Sequence, residues 1–99
     1  MNPSEFARTY NVSIGRRRAQ VTFRRTDSAL EIAYSHVNYG GSAILTVPWT
    51  EDFDRLYNSY IGRAPGEVKA LMTIPRVKEK MRRVFDKYVS EMRKGGYQQ

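Results

Sequence analysis

The chain contains no cysteine. Disulfides, thiolate metal sites and a thiol nucleophile are therefore excluded at the outset. Histidine is almost as scarce. His36 stands alone, with no second imidazole or thiol to share a metal or a proton relay, so it reads as a structural residue of a strand. No apolar run approaches the roughly 20 residues that a helix needs to cross a bilayer. Met1 to Arg8 lacks the apolar stretch of a secretory signal. The expected setting is therefore intracellular (cytoplasmic, nucleoid-associated or the interior of a virion) and not secreted. The signatures G-x-x-x-x-G-K-[ST], G-x-G-x-x-G and G-x-S-x-G do not occur; Asn38-Tyr39-Gly40-Gly41-Ser42 is a turn cluster. With no catalytic group of residues and no cofactor motif, the expectation is a protein that is not an enzyme and carries neither cofactor nor metal.

Negative charge is the other shortage. Against 17 Lys and Arg there are 10 Asp and Glu, a formal net charge of +7. Twelve of the cations are Arg, the side chain that forks onto phosphate and stacks on planar groups. The imbalance is uneven along the chain. Residues 1–25 hold six cations and one anion, residues 26–75 three and six, and residues 76–99 eight and three. Two basic ends flank a mildly acidic middle. Brought together they make one basic face, and a polyanion becomes the leading partner. The alternative is a surface that merely carries positive charge in solution.

What is present is patterned. Ninety-nine residues, 40% of them hydrophobic, make one domain with a modest core. Ser4-Glu5-Phe6-Ala7 reads as a helical turn in a short lead-in, with Pro3 at its start. From Thr9 the period is two. Tyr10, Val12 and Ile14, then Ala19, Val21 and Phe23, are the buried faces of two strands joined through Gly15-Arg16-Arg17. Leu30, Ile32 and Tyr34 mark a third strand running to about Asn38. Ala43 to Val47 is a fourth, stopped by Pro48. The meander spans about 9–47.

The period then changes to 3.6. A helix is expected over about 50–61, capped by Thr50, acidic in its first turn at Glu51, Asp52 and Asp54, and stopped by Gly62. A short helix follows over 67–72. A long one runs over 75–94, opened by Thr73 and Pro75 and ended by Gly95, with 95–99 as a tail. Val77, Met81, Val84, Phe85, Tyr88, Val89 and Met92 form its apolar stripe. The fold class is α+β: one antiparallel sheet of about four strands, then two or three helices on one face, the last long and basic.

Two clusters carry the functional reading. Arg16, Arg17, Arg18, Arg24 and Arg25 belong to the first hairpin, and Arg76, Lys80, Arg83 and Lys87 make a ridge at helical spacing. Consecutive arginines in a turn repel one another unless an anion lies among them, and turns are where binding groups gather. Most aromatic residues fall on apolar stripes and are read as core. Tyr39 and Trp49, at strand ends, are the candidates for stacking on bases. Glu51, Asp52 and Asp54 admit a metal reading, but a helix N-terminus already accounts for them.

The strand meander running through Ala43-Ile44-Leu45-Thr46-Val47-Pro48 into Thr50-Glu51-Asp52-Phe53, then Leu56-Tyr57 and Ile61, resembles the sheet-then-helix unit of single-stranded nucleic-acid-binding modules of the PUR-repeat and Whirly kind. The resemblance covers about residues 9–62 and leaves out the long helix. It implies a sheet or loops that carry basic and aromatic residues to a strand, and action in pairs, hence a homodimer. The expected function is non-enzymatic binding of DNA or RNA, mainly through phosphates and with low sequence specificity. The alternative is a structural or assembly subunit, for example of a virus or complex, with no nucleic-acid role. A basic amphipathic helix lying on a membrane surface ranks behind both, because the strands offer its stripe a core.

Overall fold

The computed structural model describes residues 6–36 and 42–95, apart from the side chains of Arg17, His36 and Ser42. Four strands, β1 (Phe6–Ile14), β2 (Arg17–Arg25), β3 (Ala29–His36) and β4 (Ser42–Pro48), precede three helices, α1 (Phe53–Arg63), α2 (Gly66–Met72) and α3 (Pro75–Lys94). The fold is α+β. The sheet is antiparallel in the order β1-β2-β3-β4. Alternation decides its two faces. Tyr10, Val12 and Ile14, Ala19, Val21 and Phe23, Leu30, Ile32 and Tyr34, and Val47 are buried under the helices. Thr9, Asn11, Ser13, Arg18, Gln20, Thr22, Arg24, Glu31, Ala33, Ile44 and Thr46 lie on the opposite face.

The β1–β2 hairpin pairs Ile14 with Arg17, so its turn is the two residues Gly15 and Arg16. Gly15 has φ +62°, and no other residue described is left-handed. That pattern, positive φ at the first central position alone, is the one that matches the twist of two paired strands with glycine in first place.

Four boundaries differ from the sequence reading. Phe6 and Ala7 are not helical: they pair with Arg25 and Arg24 in β1. The Phe6 ring packs 5.4 Å from Tyr88, and its carbonyl accepts the Tyr88 hydroxyl, so burial favours the strand. Pro3, Ser4 and Glu5 lie outside the described residues, as do Val37 and Asn38 at the expected end of the third strand. Helix α1 starts three residues after Thr50. The Thr50 hydroxyl takes the Asp52 N–H at 3.1 Å, and the Asp52 carboxylate caps the helix through the Asp54 N–H at 3.0 Å. Gly62 does not stop α1, which runs on to Arg63. Pro65 ends it by forcing Ala64 into an extended conformation, ψ 142°. Thr73 does not open α3. Its hydroxyl bonds back to Lys69 and Ala70, and Pro75 takes the first helical position after Ile74.

Helix α3 buries Val77, Met81, Phe85, Tyr88, Val89 and Met92. Phe85 is fully buried, with ring centroids 5.8 Å from Phe23, 5.9 Å from Phe53 and 6.1 Å from Trp49. It therefore touches the sheet, α1 and the link between them. Phe85→Ala is expected to cost about 3–5 kcal/mol, the range for a fully buried phenylalanine. Urea denaturation should show a lower midpoint with an unchanged slope.

Candidate nucleic-acid interface

The turn of the first hairpin and the N-terminal half of α3 are neighbours at one end of the molecule, while Arg24 and Arg25 lie at the far end of β2, opposite Ala7 and Phe6. Helix α3 runs back along β1: the Lys80 ammonium donates to the Ser13 carbonyl, Tyr10 donates to Glu91 at 3.2 Å, and Tyr88 reaches Phe6. The N-terminal half of α3 therefore ends up beside the β1–β2 turn. Arg16 and Arg18 are exposed at the turn, and Arg76, Arg83 and Lys87 are exposed along α3. Among the described residues, Arg16, Arg18, Arg76, Arg83 and Lys87 make no ion pair. Lys87 lies 5.7 Å above the Tyr10 ring. On the uncovered sheet face, Asn11, Ser13, Arg18 and Gln20 rim a shallow depression of about 390 Å³.

Other cations serve the fold. Arg82 bonds Asp54 at 3.2 Å, and Arg93 bonds Glu51 at 2.9 Å. The acidic start of α1 is thus held against α3, while Asp52 is the cap and also lies 3.7 Å from Arg55. Arg8 meets Glu91 at 3.3 Å, and Lys78 lies over the Tyr57 ring. These are exposed or half-exposed pairs, worth little each. Their effect here is to direct positive charge inward to the helix contacts on one side and leave it outward at the turn end.

Two of the nominated side chains, Arg25 and Trp49, are not where the sequence put them, and a third, Arg24, is on its expected face but engaged by an acid. Arg25 is not on the surface: it is 4% exposed, its guanidinium lies 4.4 Å over the Trp49 ring, and it donates to the Met92 sulfur. Consecutive strand residues face opposite ways, so Arg24 and Arg25 cannot both point outward, and the 19-21-23-25 series carries Arg25 inward. Arg24 is on the open face but sits 3.5 Å from Glu31, its cross-strand neighbour. Trp49 is half-buried, stacked between Arg25 and Phe85, and so is part of the packing. Tyr39 lies outside the described residues, as does the side chain of Arg17. The open face carries no aromatic ring among the described residues. Arg8, Asn11, Ser13 and Gln20 are not among the residues nominated from the sequence, although the period of two places the last three on the polar strand faces beside Arg18.

No family model, curated protein or solved structure matches this chain. Among the described residues no group of three His, Asp or Glu is placed to hold a metal ion, and no helix is long and apolar enough to cross a membrane. What the geometry offers chemically is a set of unpaired guanidinium and ammonium groups, with a few neutral polar side chains beside them.

Two tyrosines give the molecule an alkaline limit. Burial, then the Glu91 carboxylate, pushes the Tyr10 phenol well above its ordinary value. Burial, then Tyr34, does the same for Tyr60, whose hydroxyl has no hydrogen-bond partner among the described residues. A pKa raised in the folded state stabilises fully below the unfolded value of about 10 and is lost as pH rises beyond it. Thermal midpoints should therefore hold up to about pH 9 and fall above 10. Tyr60→Phe should be neutral or stabilising at pH 7, because it removes a buried hydroxyl without a partner. It should also flatten the alkaline fall, which a melting series from pH 7 to 11 would read directly.

Proposed function

We propose that the protein is a non-enzymatic nucleic-acid-binding protein that grips the phosphate backbone, with low sequence specificity. The contacts are Arg16 and Arg18 at the hairpin end and Arg76, Lys80, Arg83 and Lys87 on α3; Arg17 belongs to the same stretch of sequence. The observation that carries the reading is the docking of Lys80 on Ser13. It makes neighbours of two basic segments some 60 residues apart in sequence, and their exposed arginines make no ion pair with the protein's own described acids. Such a cluster is costly without a counter-charge, and phosphates arrayed along a strand supply it.

Low specificity follows from the same chemistry. Guanidinium-to-phosphate bonds position a nucleic acid without reading bases. Among the described residues the open face offers Ser, Thr, Asn and Gln rather than rings on which bases could stack, and Trp49 is engaged in the core. Arg24 and Arg25 are withdrawn from the contact set, the first by Glu31 and the second by burial.

The test is fluorescence anisotropy with labelled single- and double-stranded DNA and RNA at three salt concentrations. The parent should bind at low salt and weaken steeply as salt rises. Arg16→Ala with Arg18→Ala, and separately Arg76→Ala with Arg83→Ala, should each weaken binding to a similar degree across sequences. Each lost contact should lower the slope of log K against log salt by roughly 0.7 to 0.9. Absence of binding at low salt ends the proposal. Loss with one pair alone confines the site to that cluster.

A further inference from the structure

The sheet has two edge strands, and they are treated differently. At β1 the edge is guarded by cations: the Arg8 guanidinium donates to the Ala7 carbonyl at 2.8 Å, and Lys80 occupies the Ser13 carbonyl. Charged side chains on an edge are a common defence against pairing with another chain. At β4 no such defence is found among the described residues. Residues 42–48, Ser-Ala-Ile-Leu-Thr-Val-Pro, contain no charge, and Ile44, 67% exposed, is the large hydrophobic residue left open among those described.

The register fixes which amides of β4 point outward. Trp49 donates its N–H to Ser28 at 3.1 Å, just beyond the β3–β4 ladder. That hydrogen-bonded pairing recurs every second residue, at Val47↔Leu30, Leu45↔Ile32 and Ala43↔Tyr34. Ser42, Ile44 and Thr46 hold the intervening positions, so their N–H and C=O groups face away from β3. Pro48 has no N–H and closes the series. Among the described residues, no turn or loop bond takes the Ile44 or Thr46 backbone groups.

We infer that β4 is a dimerisation strand, and that its occupant is β4 of a second copy of this chain. The outward residues 42, 44 and 46 are symmetric about Ile44. A twofold axis there opposes Ile44 to Ile44 of the second copy, and Ser42 to Thr46 in both directions. All three outward residues find partners, with on the order of six hydrogen bonds in an antiparallel ladder. The two Ile44 side chains meet on the open face, and the two sheets become one of eight strands. Charge favours the same choice. Two chains of net charge +7 repel least where they touch through a segment with no charge, and this segment is the uncharged edge.

The pairing does not depend on the nucleic-acid reading, and its test uses no nucleic acid. Sedimentation velocity across micromolar concentrations should show the parent in monomer–dimer exchange. Ile44→Lys sets like charges directly opposite each other at the axis and should weaken the dimer by roughly tenfold or more, with the circular dichroism spectrum unchanged because the side chain is exposed. Ile44→Cys adds the chain's one thiol. Opposed Cα atoms in a hydrogen-bonded pair lie about 5.5 Å apart, within disulfide reach, so mild oxidation should give a covalent dimer much faster than with Asn11→Cys on the open face of β1. A dimer indifferent to Ile44→Lys, or equal cross-linking of the two cysteine variants, overturns the inference. So does a parent that stays monomeric at every concentration, which would leave the edge to an extended segment of a different protein.

Discussion

The packing of Phe85 governs the rest of the structure. An isolated four-stranded meander has one greasy face and no way to hide it, and α3 alone is an amphipathic helix with nothing to cover. Phe85 joins them. Its ring meets Phe23 from the sheet, Phe53 from α1 and Trp49 from the link after β4. One side chain thus fixes three elements, and Tyr88, a turn further on, adds contacts to Phe23 and Phe6. Aromatic residues bury more area than other side chains and have preferred mutual geometry, so the cluster sets the angle of α3 as well as its attachment.

That angle allocates charge. With its apolar stripe on the sheet, α3 turns Arg82 and Arg93 toward Asp54 and Glu51 at the start of α1. Lys80 is turned toward the β1 edge, and Arg76, Arg83 and Lys87 toward solvent. The acidic first turn of α1 has two uses at once, favourable placement at a positive helix end and contact with α3. The basic end of the molecule is what remains after those pairs form. Positive charge summed over the sequence overstates the surface available to an anion, because Arg24, Arg25, Arg82 and Arg93 are each engaged with the protein itself.

The two edges of the sheet extend the same contrast. The β1 edge is guarded because α3 runs beside it and supplies Lys80. The β4 edge lies on the other side of the sheet, where the neighbouring helix α1 contributes Phe53, Leu56 and Tyr60 to the core. Cationic side chains at one edge and an uncharged strand at the other make the two edges chemically different.

Local pattern was enough to settle the class of the fold. The period of two through Tyr10 to Val47 and the period of 3.6 through Phe53 to Met92 are set by backbone geometry and by which residues avoid water, so four strands followed by helices could be read directly. The Gly15 turn, the short helix before Pro75 and the core membership of Phe53, Tyr60, Phe85 and Tyr88 were legible for the same reason. Ends of elements were less so. Thr50 and Asp52 are both good caps, and the choice between them rested on a hydrogen bond from Asp52 back to Thr50; Phe6 joined a strand because Tyr88, 82 residues away, covers it. The candidate site divided along the same line. Charge and spacing nominated the arginines, and alternation alone already implied that Arg24 and Arg25 face opposite ways. That Arg25 lies over Trp49, that Glu31 meets Arg24, and that Lys80 brings the hairpin and α3 together were decided by tertiary structure, because each joins residues whose approach depends on how the helices pack on the sheet.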